Sequence, residues 1–150
     1  MMELNDPHDL HRFVQAQAQH YDQALSEIRA GRKQSHWMWY IFPQFAGLGF
    51  SATSRHYAIK SLAEAAAYLQ HEILGSRLVE CCEAVLGVTG RSAHDIFGSP
   101  DDIKLRSCAT LFNCLPAPPS GGSSVFERLL DAYFDGVPDQ RTLELIGSAR

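Results

Sequence analysis

The chain has 150 residues, of which 45% are apolar and 20% are charged, a composition typical of a folded globular protein. It carries 13 basic and 17 acidic side chains and therefore a formal charge of −4, which argues against a nucleic-acid-binding protein, since such domains usually have a basic surface. No stretch approaches the roughly 20 apolar residues that a membrane-spanning helix needs. The first residues also lack the pattern of a signal peptide, so we expect a cytoplasmic protein.

The clearest predicted helix begins at Asp6-Pro7, where an N-cap carboxylate precedes a proline suited to the first helical position. Apolar residues between Leu10 and Ile28 then recur with a period close to 3.6 residues. Gly31 is the expected end of this helix, because glycine is common just after the last helical turn.

The next segment, residues 34–42, is short and aromatic and is followed by a proline. We predict one or two helical turns capped by Ser35. A buried strand is the alternative, because a short apolar run cannot be assigned by its periodicity. Residues 44–53 are predicted to form a loop, since two glycines in it allow backbone conformations that other residues resist.

The rest of the chain shows a series of helix caps, each followed by apolar residues at helical spacing. Ser61 and Glu64 are expected to form a capping box. Further helices are predicted over residues 54–59, 62–69, 71–86, 92–97, 99–113, 125–134 and 140–146, with a surface loop over residues 116–124. No segment alternates apolar and polar residues as a half-buried strand does. We therefore predict an all-α fold, a single compact domain of about seven or eight short helices spanning residues 1–150.

The sequence contains none of the common catalytic or phosphate-binding motifs, such as a P-loop, a dinucleotide-binding glycine motif or a zinc-protease motif. Its cysteines, Cys81, Cys82, Cys108 and Cys114, include no C-x-x-C pair. We expect them to be reduced, partly buried thiols, and we predict neither a metal site nor a cofactor.

The segment SHWMWYIFPQ, residues 35–44, contains both tryptophans of the chain and has polar residues on either side. Large aromatic side chains dominate the energetics of protein cores, so the simplest interpretation is a core segment of a structural or protein-interaction domain. A cleft with aromatic walls and a few polar groups is also how many small-ligand sites are built. Both interpretations remain open at this level.

The second interpretation predicts a polar-aromatic pocket that binds a nucleotide-like or metabolite-like small molecule. Ser51, Arg55 and Arg106 are additional donors near it. Whether the domain is an enzyme, and whether it forms oligomers, does not follow from the residues. The predicted pocket is formed by His36, Trp37, Trp39, Gln44, Ser54, Tyr57 and Lys104.

Several motifs agree in order with one known family. They are SHWMWYIFPQ at 35–44, GLG-x-S-x-x-S-x-x-YAI at 47–59, LG-x-RL at 74–78, IFG-x-PDD-x-KL at 96–105 and TLF at 110–112. With these motifs the chain resembles domain-of-unknown-function family 1810, a bacterial and fungal family whose members are sometimes mislabelled calpastatin. The resemblance covers about residues 6–146 and implies a compact all-α fold of the kind seen in a mycobacterial member.

The resemblance implies no catalytic role for any residue, because no reaction, substrate or catalytic residue is established for the family. This chain departs from the family pattern at Cys108-Ala109, where serine and methionine usually precede TLF. The departure weakens any role for a hydroxyl at position 108. The positions that match the family motifs are His36, Trp37, Trp39, Pro43, Gln44, Gly47, Gly49, Ser54, Tyr57, Gly98, Asp102, Lys104 and Leu105.

Overall fold

The computed structural model describes residues 6–116 and 124–148. Within these ranges the chain forms nine α-helices and one isolated parallel bridge, between Phe45 and Ile59. The helices are α1 (His11–Arg29), α2 (Met38–Ile41), α3 (Ala52–His56), α4 (Leu62–Gln70), α5 (Leu74–Leu86), α6 (Ala93–Phe97), α7 (Asp101–Asn113), α8 (Val125–Phe134) and α9 (Gln140–Ser148). The predicted all-α class is confirmed. About seven or eight helices were predicted, and the described ranges contain nine. Of the predicted loop over 116–124, the residues 117–123 lie outside the described part of the chain.

The first helix begins later than predicted, at His11 instead of directly after Asp6. The reason is a turn in which Asp9 has a positive φ of 51°, a left-handed conformation that interrupts a right-handed helix. Asp6 still caps α1 from outside, because its two carboxylate oxygens accept hydrogen bonds from the N–H groups of Leu10 and His11 at 2.9 and 3.0 Å. The predicted placement of Pro7 in the first helical position was wrong.

Three other starts also differ from prediction. The helix predicted over 99–113 is α7, which begins at Asp101 without a side-chain cap. The helix predicted over 54–59 is α3, which begins at Ala52 because the Ser51 hydroxyl accepts the Ser54 N–H at 3.1 Å. The helix predicted from His71 begins at Leu74, because the His71 ring nitrogen Nδ1 accepts the N–H groups of Ile73 and Leu74. Side-chain acceptors at unexpected positions therefore shift the start of α3 by two residues and the start of α5 by three.

Ser61 caps α4 as predicted, since its hydroxyl accepts the Glu64 N–H at 3.0 Å. The second half of the predicted capping box is absent. The Glu64 carboxylate instead accepts the N–H of Lys60 at 2.9 Å and forms a buried ion pair with Arg12 at 2.7 Å. A tertiary partner thus takes the oxygen that the local motif would have used.

One cluster of buried apolar side chains contains residues from every described helix except α3, which buries none. Helix α1 packs against α2 and α5, while α7 packs against α8, α9, α6 and α4. Residues of α2, of α3 and of the loop between them line a common cleft with residues of the first two turns of α7. This arrangement positions the candidate site.

Candidate functional site

A cleft of about 530 Å³ lies between the loop that follows α2, the segment around the end of α3, the start of α7 and the chain that leads into α9. Its volume falls within the range of about 300–1,000 Å³ that is usual for small-molecule sites. The cleft is lined by Trp39, residues 44–49, 54–55 and 57–58, Lys60, Pro100, Ile103, Lys104, Ser107, Asp139 and Arg141.

Most of the residues predicted for the pocket converge on this cleft, although they come from four different segments. Trp39 is partly buried in α2, and Gln44 follows that helix. Ser54 lies within α3, Tyr57 directly follows α3, and Lys104 lies on α7. All five line the cleft.

Two predicted residues, His36 and Trp37, do not line the cleft. The His36 side chain is exposed, and Trp37 is only 1% exposed within the core cluster. The helical turn explains the separation of Trp37 from Trp39, since residues two apart on a helix face different directions. The aromatic segment therefore has a core side, which includes Trp37, and a cleft side, which includes Trp39.

The core side is organised by Glu27 of α1, a residue that no sequence motif marked. Its carboxylate accepts the backbone N–H groups of Gln34 and Ser35 at 2.8 and 3.0 Å. It also accepts the Ser35 hydroxyl at 2.7 Å and the Trp37 indole N–H at 2.9 Å. Ser35 was predicted to cap α2, but its side chain is engaged with Glu27 and the helix begins at Met38.

This hydrogen bonding governs the ionisation of Glu27. Burial by itself raises the pKa of the carboxyl, but the hydrogen bonds from Gln34, Ser35 and Trp37 favour the charged form more strongly. The pKa of Glu27 is consequently lowered from 4.5 to about 2. The group is a permanently charged structural acceptor at neutral pH.

An ionic chain connects the core side with the cleft side. The Lys33 ammonium lies 5.0 Å from the centroid of the Trp37 ring and 2.8 Å from the Asp101 carboxylate. The other oxygen of Asp101 lies 3.1 Å from the Lys104 ammonium, which in turn lies 4.9 Å from the centroid of the Trp39 ring. Asp101 thus joins the family motif at the start of α7 to the tryptophan segment.

The wall of the cleft formed by residues 55–60 is held from two sides. On one side, Ile59 donates its N–H to the Gln44 carbonyl at 2.9 Å and accepts the Ala46 N–H at 2.8 Å. On the other side, the buried Arg12 guanidinium donates to the carbonyls of His56 at 2.7 Å and Ala58 at 2.9 Å. The wall is therefore preorganised by hydrogen bonds to its backbone, and these bonds do not use the side chains of Arg55 and Lys60.

The glycines of the loop after α2 allow it to lie close to Leu145 of α9 at Gly47 and close to Ser54 of α3 at Gly49. Gly47 has a positive φ of 103°, and a Cβ atom at Gly49 would lie 2.7 Å from the Cβ of Ser54. A side chain at Gly49 would therefore force the loop away from α3. Within the described residues, the N–H groups of residues 47–50 donate no hydrogen bond. Adjacent N–H groups of this kind are available to an anion.

The charge of the cleft is opposite in sign to that of the whole chain. Four cationic side chains and one carboxylate line it, a formal charge of +3 in a chain of −4. Within the described residues, the side chains of Arg55 and Lys60 form no hydrogen bond or ion pair, and neither does the Gln44 amide. Lys60, Asp139 and Arg141 were not predicted as site residues, because nothing in their spacing relates them to the tryptophan segment.

Three of the four cysteines, Cys81, Cys82 and Cys108, are buried thiols that are not activated. Burial raises the pKa of the Cys81 thiol to about 12, and burial raises the pKa of Cys82 and Cys108 well above the ordinary value. The thiolate is the nucleophilic form, so these three cysteines act as small apolar residues of the core.

Within residues 6–116 and 124–148, no three histidine, cysteine or acidic side chains are grouped so that they could hold a metal ion. Over the same ranges, no helix combines the length and the apolar character needed to cross a membrane.

Comparisons with known proteins agree with the architecture. Over 95% of its length the chain is similar to a conserved hypothetical protein from Mycobacterium tuberculosis of known crystal structure, with 51% sequence identity, a TM-score of 0.89 and coverage of 99% of that protein's chain. A search of curated proteins finds no match. The family model "Protein of unknown function (DUF1810)" matches residues 7–146, and the chain therefore belongs to the DUF1810 family.

Proposed function

We propose that the cleft binds a small anionic molecule with a planar ring, of the nucleotide or phosphorylated-metabolite type. The observation that carries the proposal is the convergence of partly buried aromatic rings and unpaired cations in one cleft of about 530 Å³. Trp39 and Tyr57 offer ring surfaces for stacking. Arg55 and Lys60 offer charged donors that no described carboxylate engages.

The Lys104 ammonium can bind the ligand anion without leaving the Asp101 carboxylate unpaired. Its partner Asp101 also forms an ion pair with Lys33, whose side chain is 7% exposed. If the Lys104 ammonium turns toward a ligand anion, the Asp101 carboxylate keeps Lys33. Breaking a buried pair is costly mainly because one charge is left uncompensated, and this geometry avoids that cost.

Ligand orientation is supplied by polar groups that the fold does not use. The Gln44 amide can both donate and accept, and the N–H groups of residues 47–49 can meet a second anionic oxygen. Small-molecule sites commonly combine such a few polar groups with aromatic walls. A cytoplasmic location, where phosphorylated metabolites are available, is part of this proposal, whereas an enzymatic activity is not.

The second candidate is a non-catalytic structural or protein-interaction domain. The observation in its favour is a set of exposed large apolar side chains, among which Phe50 is 77% exposed and Ile103 54% exposed. Phe50 follows the loop of the cleft, and Ile103 is part of its rim. Exposed apolar residues of this kind occur at protein-binding surfaces.

A ligand screen with matched variants tests the first candidate. Thermal unfolding is measured with the four nucleosides, their 5′-monophosphates and inorganic phosphate. A ligand at 100 times its Kd stabilises the folded chain by about 2.7 kcal/mol, which raises the Tm by about 5–10 °C for a domain of this size. We expect at least one monophosphate to raise the Tm by this amount and the corresponding nucleoside to raise it less.

The matched variants are Arg55→Gln in the cleft and Arg32→Gln outside it. Arg32 is exposed and, like Arg55, its side chain has no partner among the described residues. We expect Arg55→Gln to weaken binding about tenfold, equivalent to about 1.4 kcal/mol, and Arg32→Gln to leave it unchanged. An equal effect of the two variants, or no stabilisation by any probe, would overturn the proposal and favour the interaction domain.

A further inference from the structure

A second cavity, of about 400 Å³, lies on the other side of the wall formed by residues 55–60. Arg55 and Lys60 line both this cavity and the cleft. The two cavities therefore meet at a ridge that carries two cationic side chains. Both residues are exposed, and within the described residues neither side chain has a partner.

The two charges at the floor of the second cavity neutralise each other. Arg12 and Glu64 line it, but they form a buried ion pair at 2.7 Å in which the two side chains are only 6% and 4% exposed. The Arg12 guanidinium also donates to four backbone carbonyls, those of His8, Asp9, His56 and Ala58. This pair is thus a structural element and contributes no free charge.

The remaining charged and polar groups of the second cavity can face a ligand. Asp9 brings one carboxylate, against the two cations of the shared ridge. The imidazoles of His8 and His56 add ring nitrogens, and within the described residues neither ring forms a hydrogen bond. Imidazole N–H groups and the ridge cations are both donors for phosphate oxygens.

We infer that the ligand of the cleft carries two consecutive phosphates, as in a nucleoside diphosphate. Its ring lies in the cleft, and its terminal phosphate crosses the ridge of Arg55 and Lys60 toward His8 and His56. This inference rests on the proposed function, because it takes the position of the ring from it. A monophosphate reaches the ridge from the cleft side alone, whereas a diphosphate uses donors on both sides.

The test compares each nucleoside 5′-monophosphate with its 5′-diphosphate by titration calorimetry. With the unaltered chain we expect the diphosphate to bind at least about tenfold more tightly, a difference of about 1.4 kcal/mol. His8→Ala and His56→Ala, each made singly, remove donors of the second cavity only. We expect either variant to reduce the ratio of diphosphate affinity to monophosphate affinity to below about threefold. The affinity for the monophosphate should stay within about twofold of that of the unaltered chain.

His36→Ala is the matched control, because His36 is an exposed histidine that lines neither cavity. It should leave the ratio unchanged. The His56 ring makes an edge contact with Tyr57 at 4.6 Å, so the monophosphate affinity also reports whether the cleft is intact in that variant. His8→Ala provides the same test without a ring contact.

The possible failures separate the two proposals. If monophosphate and diphosphate bind equally, or if the ratio persists in both histidine variants, the second cavity takes no phosphate and the inference is overturned while the proposed function stands. If no nucleotide of either class binds, both are overturned. Binding of inorganic pyrophosphate alone, without any nucleotide, would also overturn both, because it would show no ring site.

Discussion

The two sides of the tryptophan segment differ in how completely their polar groups are used. On the core side, the Trp37 indole N–H and its neighbours all donate to the Glu27 carboxylate. On the cleft side, the Gln44 amide and the cations of the wall have no partner among the described residues. Polar groups that are satisfied within the chain stabilise the fold, and groups left unsatisfied next to a cavity are those available to a ligand.

The largest expected contrast is between the two tryptophans. Trp37→Ala removes a side chain that is 1% exposed and leaves the Glu27 carboxylate without one donor, so it should cost about 4 kcal/mol of unfolding free energy. Trp39→Ala removes a partly buried ring at the cleft and should cost less than about 2 kcal/mol. Equilibrium unfolding in urea measures both, and equal losses would contradict the division of the segment into two sides.

The next effect concerns the buried ion pair behind the cleft wall. Arg12→Met leaves the Glu64 carboxylate buried without its partner and frees four backbone carbonyls, so we expect a loss of about 3–5 kcal/mol. Arg32→Met, which changes the charge equally at an exposed position, should stay within about 0.5 kcal/mol. A small loss in Arg12→Met would mean that water replaces the guanidinium and that the wall is less rigid than its hydrogen bonds indicate.

Glu27→Gln should cost about 2 kcal/mol at neutral pH, because the amide is a weaker acceptor for the surrounding donors. The pKa of Glu27 is lowered from 4.5 to about 2 in the folded chain, so its stabilisation is present above pH 4.5 and is lost as the pH falls toward 2. The stability difference between the unaltered chain and Glu27→Gln should therefore shrink over that range. Urea unfolding at several pH values measures it.

Glu72→Gln serves as the control for that experiment. Glu72 is exposed, and its carboxylate has no hydrogen bond or ion pair among the described residues. Its replacement should change stability by less than about 0.5 kcal/mol at every pH. A difference for Glu27→Gln that stays constant down to pH 2 would show that the hydrogen bonds do not lower the pKa of this group.

The smallest effect distinguishes the two lysines that share Asp101. Lys33→Gln removes a nearly buried ammonium that also lies near the Trp37 ring, and should cost about 1–2 kcal/mol. Lys104→Gln removes a more exposed one and should cost less than about 1 kcal/mol, because Asp101 retains Lys33. We expect only Lys104→Gln to weaken ligand binding as well. The reverse order of stabilities would mean that Lys104 is a structural residue.

Local sequence signals were sufficient for the helical class and for several helix ends. Ser61, Ser92 and Ser124 each accept the N–H three residues later, as short-range capping predicts. Predicted caps were wrong where the side chain instead bonds to a residue from another part of the chain. The Glu64 carboxylate pairs with Arg12 instead of completing its capping box, and the Ser35 hydroxyl donates to Glu27 instead of capping α2.

The tryptophan segment was recognisable from its composition, and five of the seven predicted pocket residues line one cleft. Which tryptophan belongs to the core was not determined by composition, because it depends on where the single turn of α2 begins. The cations Lys60 and Arg141 reach the cleft through the packing of α7 against α9 and the bridge between Phe45 and Ile59. Helix formation depends on contacts within a few residues, whereas a cleft depends on packing between distant ones, and only the tertiary structure determines that packing.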